Sequence, residues 1–205
     1  MNRVAIFAEG QTEVIFLRNF LLRQFKSESI QIIFVKLNTY SKNTSSYQYQ
    51  PPNPQICFLI IDVEGDGNIL SGIKEREGNL FKQGYSKIIG LQDLYSSIHD
   101  KLFKGKINLA IADTLIKRRQ EEVCKMTRPN LVKLFFAIME IEAWILGMPE
   151  VLKKIDIKLT KTLIIKICGS NLENIDPQTK FYRPSAVLGK LFTVVGKNYN
   201  RPVAN

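Results

Sequence analysis

The sequence is poor in the residues that most often carry metal or nucleophile chemistry. Its 205 residues contain a single histidine, His99. That excludes a histidine-built metal cage, and any Ser-His-Asp or Cys-His mechanism depends wholly on His99. Cysteine is scarce as well. Cys57, Cys124 and Cys168 are odd in number and have no paired spacing. They support neither a disulfide framework nor a four-cysteine zinc site, and a reducing cytoplasm is the expected compartment. Long apolar runs are missing. The N-terminal run is only Val4 to Ala8, and the longest elsewhere is Leu134 to Met139, bounded by Lys133 and Glu140. A membrane span needs about 20 apolar residues, so the expectation is a soluble chain with no secretory leader.

Acidic charge is also deficient, with 19 Asp+Glu against 29 Lys+Arg and a net charge of +10. The imbalance is confined to one half. Residues 1–100 hold ten basic and ten acidic side chains, while residues 101–205 hold nineteen and nine. A basic excess of this kind suits an anionic partner such as nucleic acid, and it equally suits a solvated surface. Hydrophobic residues make up 45% and charged residues 23%, enough for a well-filled core.

Short apolar runs alternate with helical periodicity. Strands are expected at Val4–Ala8, Ile30–Leu37, Cys57–Ile61, Lys87–Leu91, Ile107–Ile111 and Leu131–Ile138. Helices are expected at Thr12–Gln24, with Thr12 as the cap, and at Ile69–Gln83, Tyr95–Phe103 and Thr114–Lys125. Asn38–Pro54 reads as a long loop. From Met148 the pattern is helical and basic. The expected fold is therefore α/β, a mainly parallel Rossmann-like sheet over residues 1–147 with a helical extension over 148–205.

In such a sheet the C-terminal strand ends share one edge, where ligands bind. Acidic residues recur there: Glu9 after the first strand, Asp62 with Glu64 and Asp66 after the third, then Asp93, and Glu140 with Glu142. Carboxylates gathered at one edge repel one another unless a divalent cation intervenes. Mg²⁺ or Mn²⁺ is the expected cofactor, since two or three oxygen ligands plus water suffice to hold it. Such an ion can activate water against a phosphodiester.

Val4-Ala5-Ile6-Phe7-Ala8-Glu9-Gly10-Gln11-Thr12-Glu13 resembles the opening motif of TOPRIM domains, most closely the branch with the overcoming-lysogenization-defect nucleases. Ile88 to Tyr95 resembles the later TOPRIM strand that ends in Asp-x-Asp. Glu140-Ile141-Glu142-Ala143-Trp144-Ile145-Leu146 is similar to a signature of a TOPRIM-related bacterial family of unknown function. Phe181 to Ser185 and Gly196 to Tyr199 look like that family's C-terminal region. The resemblance implies a TOPRIM-like fold, with Glu9 as the acid–base or metal-associated glutamate and Asp93 as the first metal aspartate. Position 95 is Tyr rather than the second Asp, which leaves Glu140 or Glu142 to complete the set.

The expected metal ligands are thus Glu9, Asp93, Asp62 and Glu140, and the expected catalytic set is Glu9, Asp93, Glu140 and Glu142. Lys117, Arg118, Arg119, Lys153, Lys154 and Arg183 are the expected nucleic-acid contacts, with Tyr47, Tyr49 and Tyr182 as possible stacking platforms. Gly65-Asp66-Gly67-Asn68 lacks both the third glycine of a dinucleotide fingerprint and the Gly-Lys-Ser/Thr of a P-loop. It reads mainly as a strand-to-helix turn. The expected activity is Mg²⁺- or Mn²⁺-dependent nuclease chemistry on DNA or RNA, with phage defence as a candidate setting. The alternative is a non-catalytic nucleic-acid-binding or sensor subunit working with a separate ATPase partner.

Overall fold

The computed structural model describes residues 1–37, 47–65, 67–94, 101 and 105–199. The expected helix over Tyr95–Phe103, and with it Tyr95 and His99, falls outside these residues apart from position 101. So do Asp66 and the first part of the Asn38–Pro54 loop.

The elements are β1 (Asn2–Ala8), α1 (Gln11–Gln24), β2 (Ile30–Lys36), β3 (Ile56–Asp62), α2 (Ile69–Lys82), β4 (Lys87–Asp93), α3 (Leu109–Cys124) and β5 (Val132–Ala137). Five helices follow among the described residues: α4 (Glu142–Leu146), α5 (Pro149–Ile155), α6 (Lys161–Cys168), α7 (Pro177–Lys180) and α8 (Pro184–Val194). No described helix is long and apolar enough to cross a membrane.

The chain forms two compact units. The first includes Met1–Gln92 and Ile116–Phe136, and the second contains Asp93–Leu115 and Ala137–Val203. Each unit draws on more than one stretch of the chain, whereas the sequence-based division falls once, after residue 147.

The five strands form one all-parallel sheet in the order β2-β3-β1-β4-β5, flanked by helices, as the α/β reading expects. Strands buried on both faces read as continuous apolar runs, and β3 is buried from Cys57 to Asp62. One face of the sheet carries α1, whose Val14 and Leu21 pack with Ile6, Ala8, Ile32 and Ile60. The opposite face carries α2 and the end of α3. There Ile69, Ile73, Leu80 and Val123 pack with Ala5, Phe7, Ile61 and Ile88. Successive residues of β1 therefore address opposite helices.

Two local expectations are corrected. Ile107–Ile111 is not a strand, because α3 already starts at Leu109. The Asn108 side-chain oxygen accepts a hydrogen bond from the Ile111 amide at 3.2 Å, the N-cap geometry that sets a helix start. Thr12 is not the cap of α1 either. The helix begins at Gln11, and extended Gly10 occupies the cap position without a side-chain bond.

Gly90 sits tightly between Leu134 of β5 and Ile69 and Ile73 of α2. A β-carbon there would fall 2.6 Å from Leu134 Cδ2 and 2.7 Å from Ile69 Cγ2. Gly90→Ala is expected to overpack this face and cost about 1–3 kcal/mol in a denaturant titration. An unchanged midpoint would mean that the α2 face yields more easily than its packing indicates.

The second unit has its own core, including Leu146, Leu152, Ile164, Phe181, Leu188 and Leu191. Thr160 caps α6 through the Leu163 amide, and left-handed Gly169 ends it.

Candidate functional site

Within the first unit, the C-terminal ends of β1 and β3 meet through their following turns. The Val63 amide donates to the Ala8 carbonyl at 3.0 Å, and the Gly65 amide to the Glu9 carbonyl at 3.1 Å. These bonds extend the β1–β3 ladder into the turn and fix the height of Glu9. The Gly67 amide then donates to Glu9 Oε1 at 3.4 Å. Glu9 is 8% exposed, so its carboxylate sits beneath the turn with only an edge open.

The turn needs unusual backbone angles. Gly65 has φ 132° and Gly67 φ 81°, conformations that side chains rarely adopt. Glu64 also has a positive φ, 49°, without being glycine. Such strain persists only where the surroundings impose it, and it concentrates at functional sites. Here the Glu64 amide is tied to Asp62 Oδ1 at 3.0 Å, and the Glu64 carboxylate is ion-paired with Lys36.

Asp62 belongs to this clasp. It is buried, and burial pushes its carboxyl above the ordinary range, opposed by the Glu64 amide and the Lys36 charge. The register pairs Asp62 with Ala8 and Lys36, so it stands on the α1 face of the sheet. Glu9 reaches the turn that leads into α2, on the other face. The two expected ligands of the first unit are therefore turned to opposite faces of the sheet.

Two further groups share the side of Glu9, and sequence patterning did not single out the first. Gln92 lies one position beyond the Ala8–Leu91 pair, level with Glu9 on the neighbouring strand. Period-2 alternation puts it on the same face as Gly90, against α2. It is 1% exposed, and its Oε1 is buried with no hydrogen-bond partner among the described residues. The second is Arg119, whose Nη2 is 4.0 Å from the position a β-carbon on Gly67 would take. The N-terminus of α2 adjoins this turn, and its cap residue Asn68 makes no side-chain cap bond.

These residues fit a hard cation. A carboxylate and an orphaned amide oxygen are both oxygen donors, the ligand type Mg²⁺ and Mn²⁺ prefer. A closed protein cage does not form among the described residues. Among the described residues, no group of three or more His, Cys, Asp or Glu is placed to hold a metal. A cation at Glu9 would take most of its remaining ligands from water or substrate phosphate.

The other expected acids belong to the second unit. Asp93 ends β4 and is 7% exposed. Glu140 is 2% exposed and accepts two hydrogen bonds from Ser185, from the amide at 2.8 Å and the hydroxyl at 3.0 Å. Ser185 is the second residue of α8, so Glu140 acts as a cap for that helix from 45 residues away. Glu142 has no exposed surface and accepts from the Tyr199 hydroxyl at 2.6 Å. Trp144 Nε1 donates to Gln178 Oε1 at 2.7 Å, and the Ile138 amide shares that acceptor. The Glu-Ile-Glu-Ala-Trp segment thus anchors α7, α8 and the chain at Tyr199.

The basic candidates also separate. Lys117 and Arg118 are exposed in the first unit, beside Arg119 in sequence. Lys125 is engaged by Glu122, whose pKa falls to about 2 through Lys125 and Lys74. In the second unit Lys153 pairs with Glu150, while Lys154 and Arg183 are exposed. Tyr47 packs on Phe34 with ring centroids 5.0 Å apart. Tyr49 forms an antiparallel bridge with Ile32 on the edge of β2. Both tyrosines therefore contribute to loop packing.

Comparison with family profiles matches residues 8–205 to one described as Domain of unknown function (DUF4276). Comparison with curated proteins and with solved structures gives no match. The match covers nearly the whole chain, and the protein belongs to that family.

Proposed function

We propose that this member of the DUF4276 family is a divalent-cation-dependent enzyme of phosphodiester chemistry, a nuclease acting through Glu9. The observation that carries the reading is the turn after β3, which brings the Glu9 carboxylate, the Gly67 amide and the Arg119 guanidinium to one place in the first unit. The resemblance of Val4–Glu13 to TOPRIM domains points the same way.

Each residue has a distinct part. Arg119 and the first amides of α2 attract a phosphate, through charge and the helix dipole respectively. Glu9 is suited to take or return a proton, or to hold Mg²⁺ or Mn²⁺ beside that phosphate. A cation there supplies charge stabilisation and a more acidic bound water. Lys117 and Arg118 supply a sequence-independent hold on the backbone.

The test is incubation of the purified protein with Mn²⁺ and single- or double-stranded DNA and RNA. Cleavage that stops on chelation is expected. Replacing Lys117, Arg118 and Arg119 together by Ala should flatten the salt dependence of nucleic-acid binding by roughly 2–3 in log–log slope. An unchanged slope would move the binding surface elsewhere.

A second reading has its own observation in favour. Glu140 and Glu142 are engaged by Ser185 and Tyr199, and the described residues form no metal-binding acid cluster. That favours a non-catalytic nucleic-acid-binding or sensor subunit working with a separate ATPase. Salt-sensitive binding with no cleavage under any divalent ion would select it.

A further inference from the structure

We propose that Gln92 is the second protein oxygen of a one-cation site, binding a hard divalent ion together with the Glu9 carboxylate. The inference deepens the reading above and rests on it for the role of Glu9. The starting observation is the cost of Gln92 as it stands. A buried acceptor without a donor is destabilising, and the few that native proteins keep call for a cause such as an ion. Gln92 is 1% exposed, and its Oε1 meets no donor among the described residues. Leu or Met would fill the same volume with no orphaned atom.

Its position supplies the cause. Gln92 stands level with Glu9 on the adjacent parallel strand, one residue past the Ala8–Leu91 pair. It faces the side of the sheet where Ile69 crowds Gly90. Glu9 faces that side too, since its Oε1 accepts from Gly67, two residues before α2. Both groups therefore lie at the ends of central strands, where parallel α/β sheets place ligands.

The chemistry selects the ligand class. One carboxylate and one neutral amide oxygen offer a single negative charge and no sulfur or imidazole. Zn²⁺ and Cu²⁺ prefer nitrogen and sulfur donors, while Mg²⁺ and Mn²⁺ accept oxygen donors and fill their other positions with water or phosphate oxygens. A site this lightly charged binds the bare ion weakly and gains affinity when a phosphate completes the shell.

The experiment uses the full-length protein and Mn²⁺ alone, with binding read from the loss of the free-ion electron paramagnetic resonance signal. Wild type should bind one Mn²⁺. Gln92→Leu should weaken binding by at least about tenfold, and Gln92→Glu should tighten it by a similar factor. Under chelation Gln92→Leu should melt no lower than wild type, because it removes an orphaned acceptor. This readout separates a ligand from a residue needed for folding. Gln92→Leu binding Mn²⁺ as wild type does would overturn the proposal. So would a Gln92-dependent rise in melting temperature produced by inorganic phosphate and not by Mn²⁺. Gln92-dependent Mn²⁺ binding without any cleavage of nucleic acid would support this site and sink the nuclease reading. Cleavage with Gln92-independent binding would do the reverse.

Discussion

Replacing Glu9 by Gln is expected to lower metal-dependent cleavage by about 10²–10⁴-fold, the usual range for losing a positioned acid–base group. The substitution keeps the shape of the side chain, and its amide oxygen can still accept from the Gly67 amide, as Glu9 Oε1 does at 3.4 Å. The turn should therefore survive, and thermal stability should change little. What disappears is the negative charge at the end of β1, which the proposed chemistry uses either to carry a proton or to hold the cation. Circular dichroism and a melting curve checked alongside the cleavage rate separate this from unfolding. If Glu9→Gln cleaved at the wild-type rate, Glu9 would be a turn residue and nothing more.

Replacing Glu140 by Ala should have its largest effect on stability. The carboxylate holds the Ser185 amide and hydroxyl at 2.8 Å and 3.0 Å, and it is almost wholly buried. Hydrogen bonds to charged groups contribute about 1.5–3 kcal/mol each. Losing both and leaving the start of α8 without its acceptor should cost about 3 kcal/mol. Glu140→Gln keeps one acceptor oxygen and should lose less. A chemical denaturation curve reads the difference. A folded, equally stable Glu140→Ala protein that had lost cleavage would return Glu140 to the catalytic set.

These two residues show what the sequence could and could not reveal. The place of Glu9, at the end of β1 and before α1, was legible because its signal is local: an apolar strand, a carboxylate, then Gly10 and a helix. The alternation of apolar runs with helical periodicity pointed to the parallel α/β sheet and all five of its strands for the same reason. Ile107–Ile111 misled because five apolar-rich residues fit a strand or the first turn of a helix equally well. The cap at Asn108 was the signal that decided it.

Glu140 was not legible because its partner is distant in sequence. Nothing near position 140 announces Ser185, and two glutamates at the end of a strand look the same whether they serve substrate or a helix cap. Gln92 escaped for the opposite reason. A glutamine inside a strand carries no pattern, and only burial without a donor marks it. The charge asymmetry proved partly structural as well. Lys125 and Lys153 answer nearby acids, while Arg119 lies by the turn over Glu9.

The central claim is that the end of β1 holds a cation for phosphodiester chemistry. A crystal soaked in Mn²⁺ and measured for anomalous scattering tests it most directly. The account predicts a peak within coordination distance of the Glu9 carboxylate and the Gln92 side-chain oxygen. Anomalous density confined to exposed surface carboxylates, with none at Glu9, would contradict it.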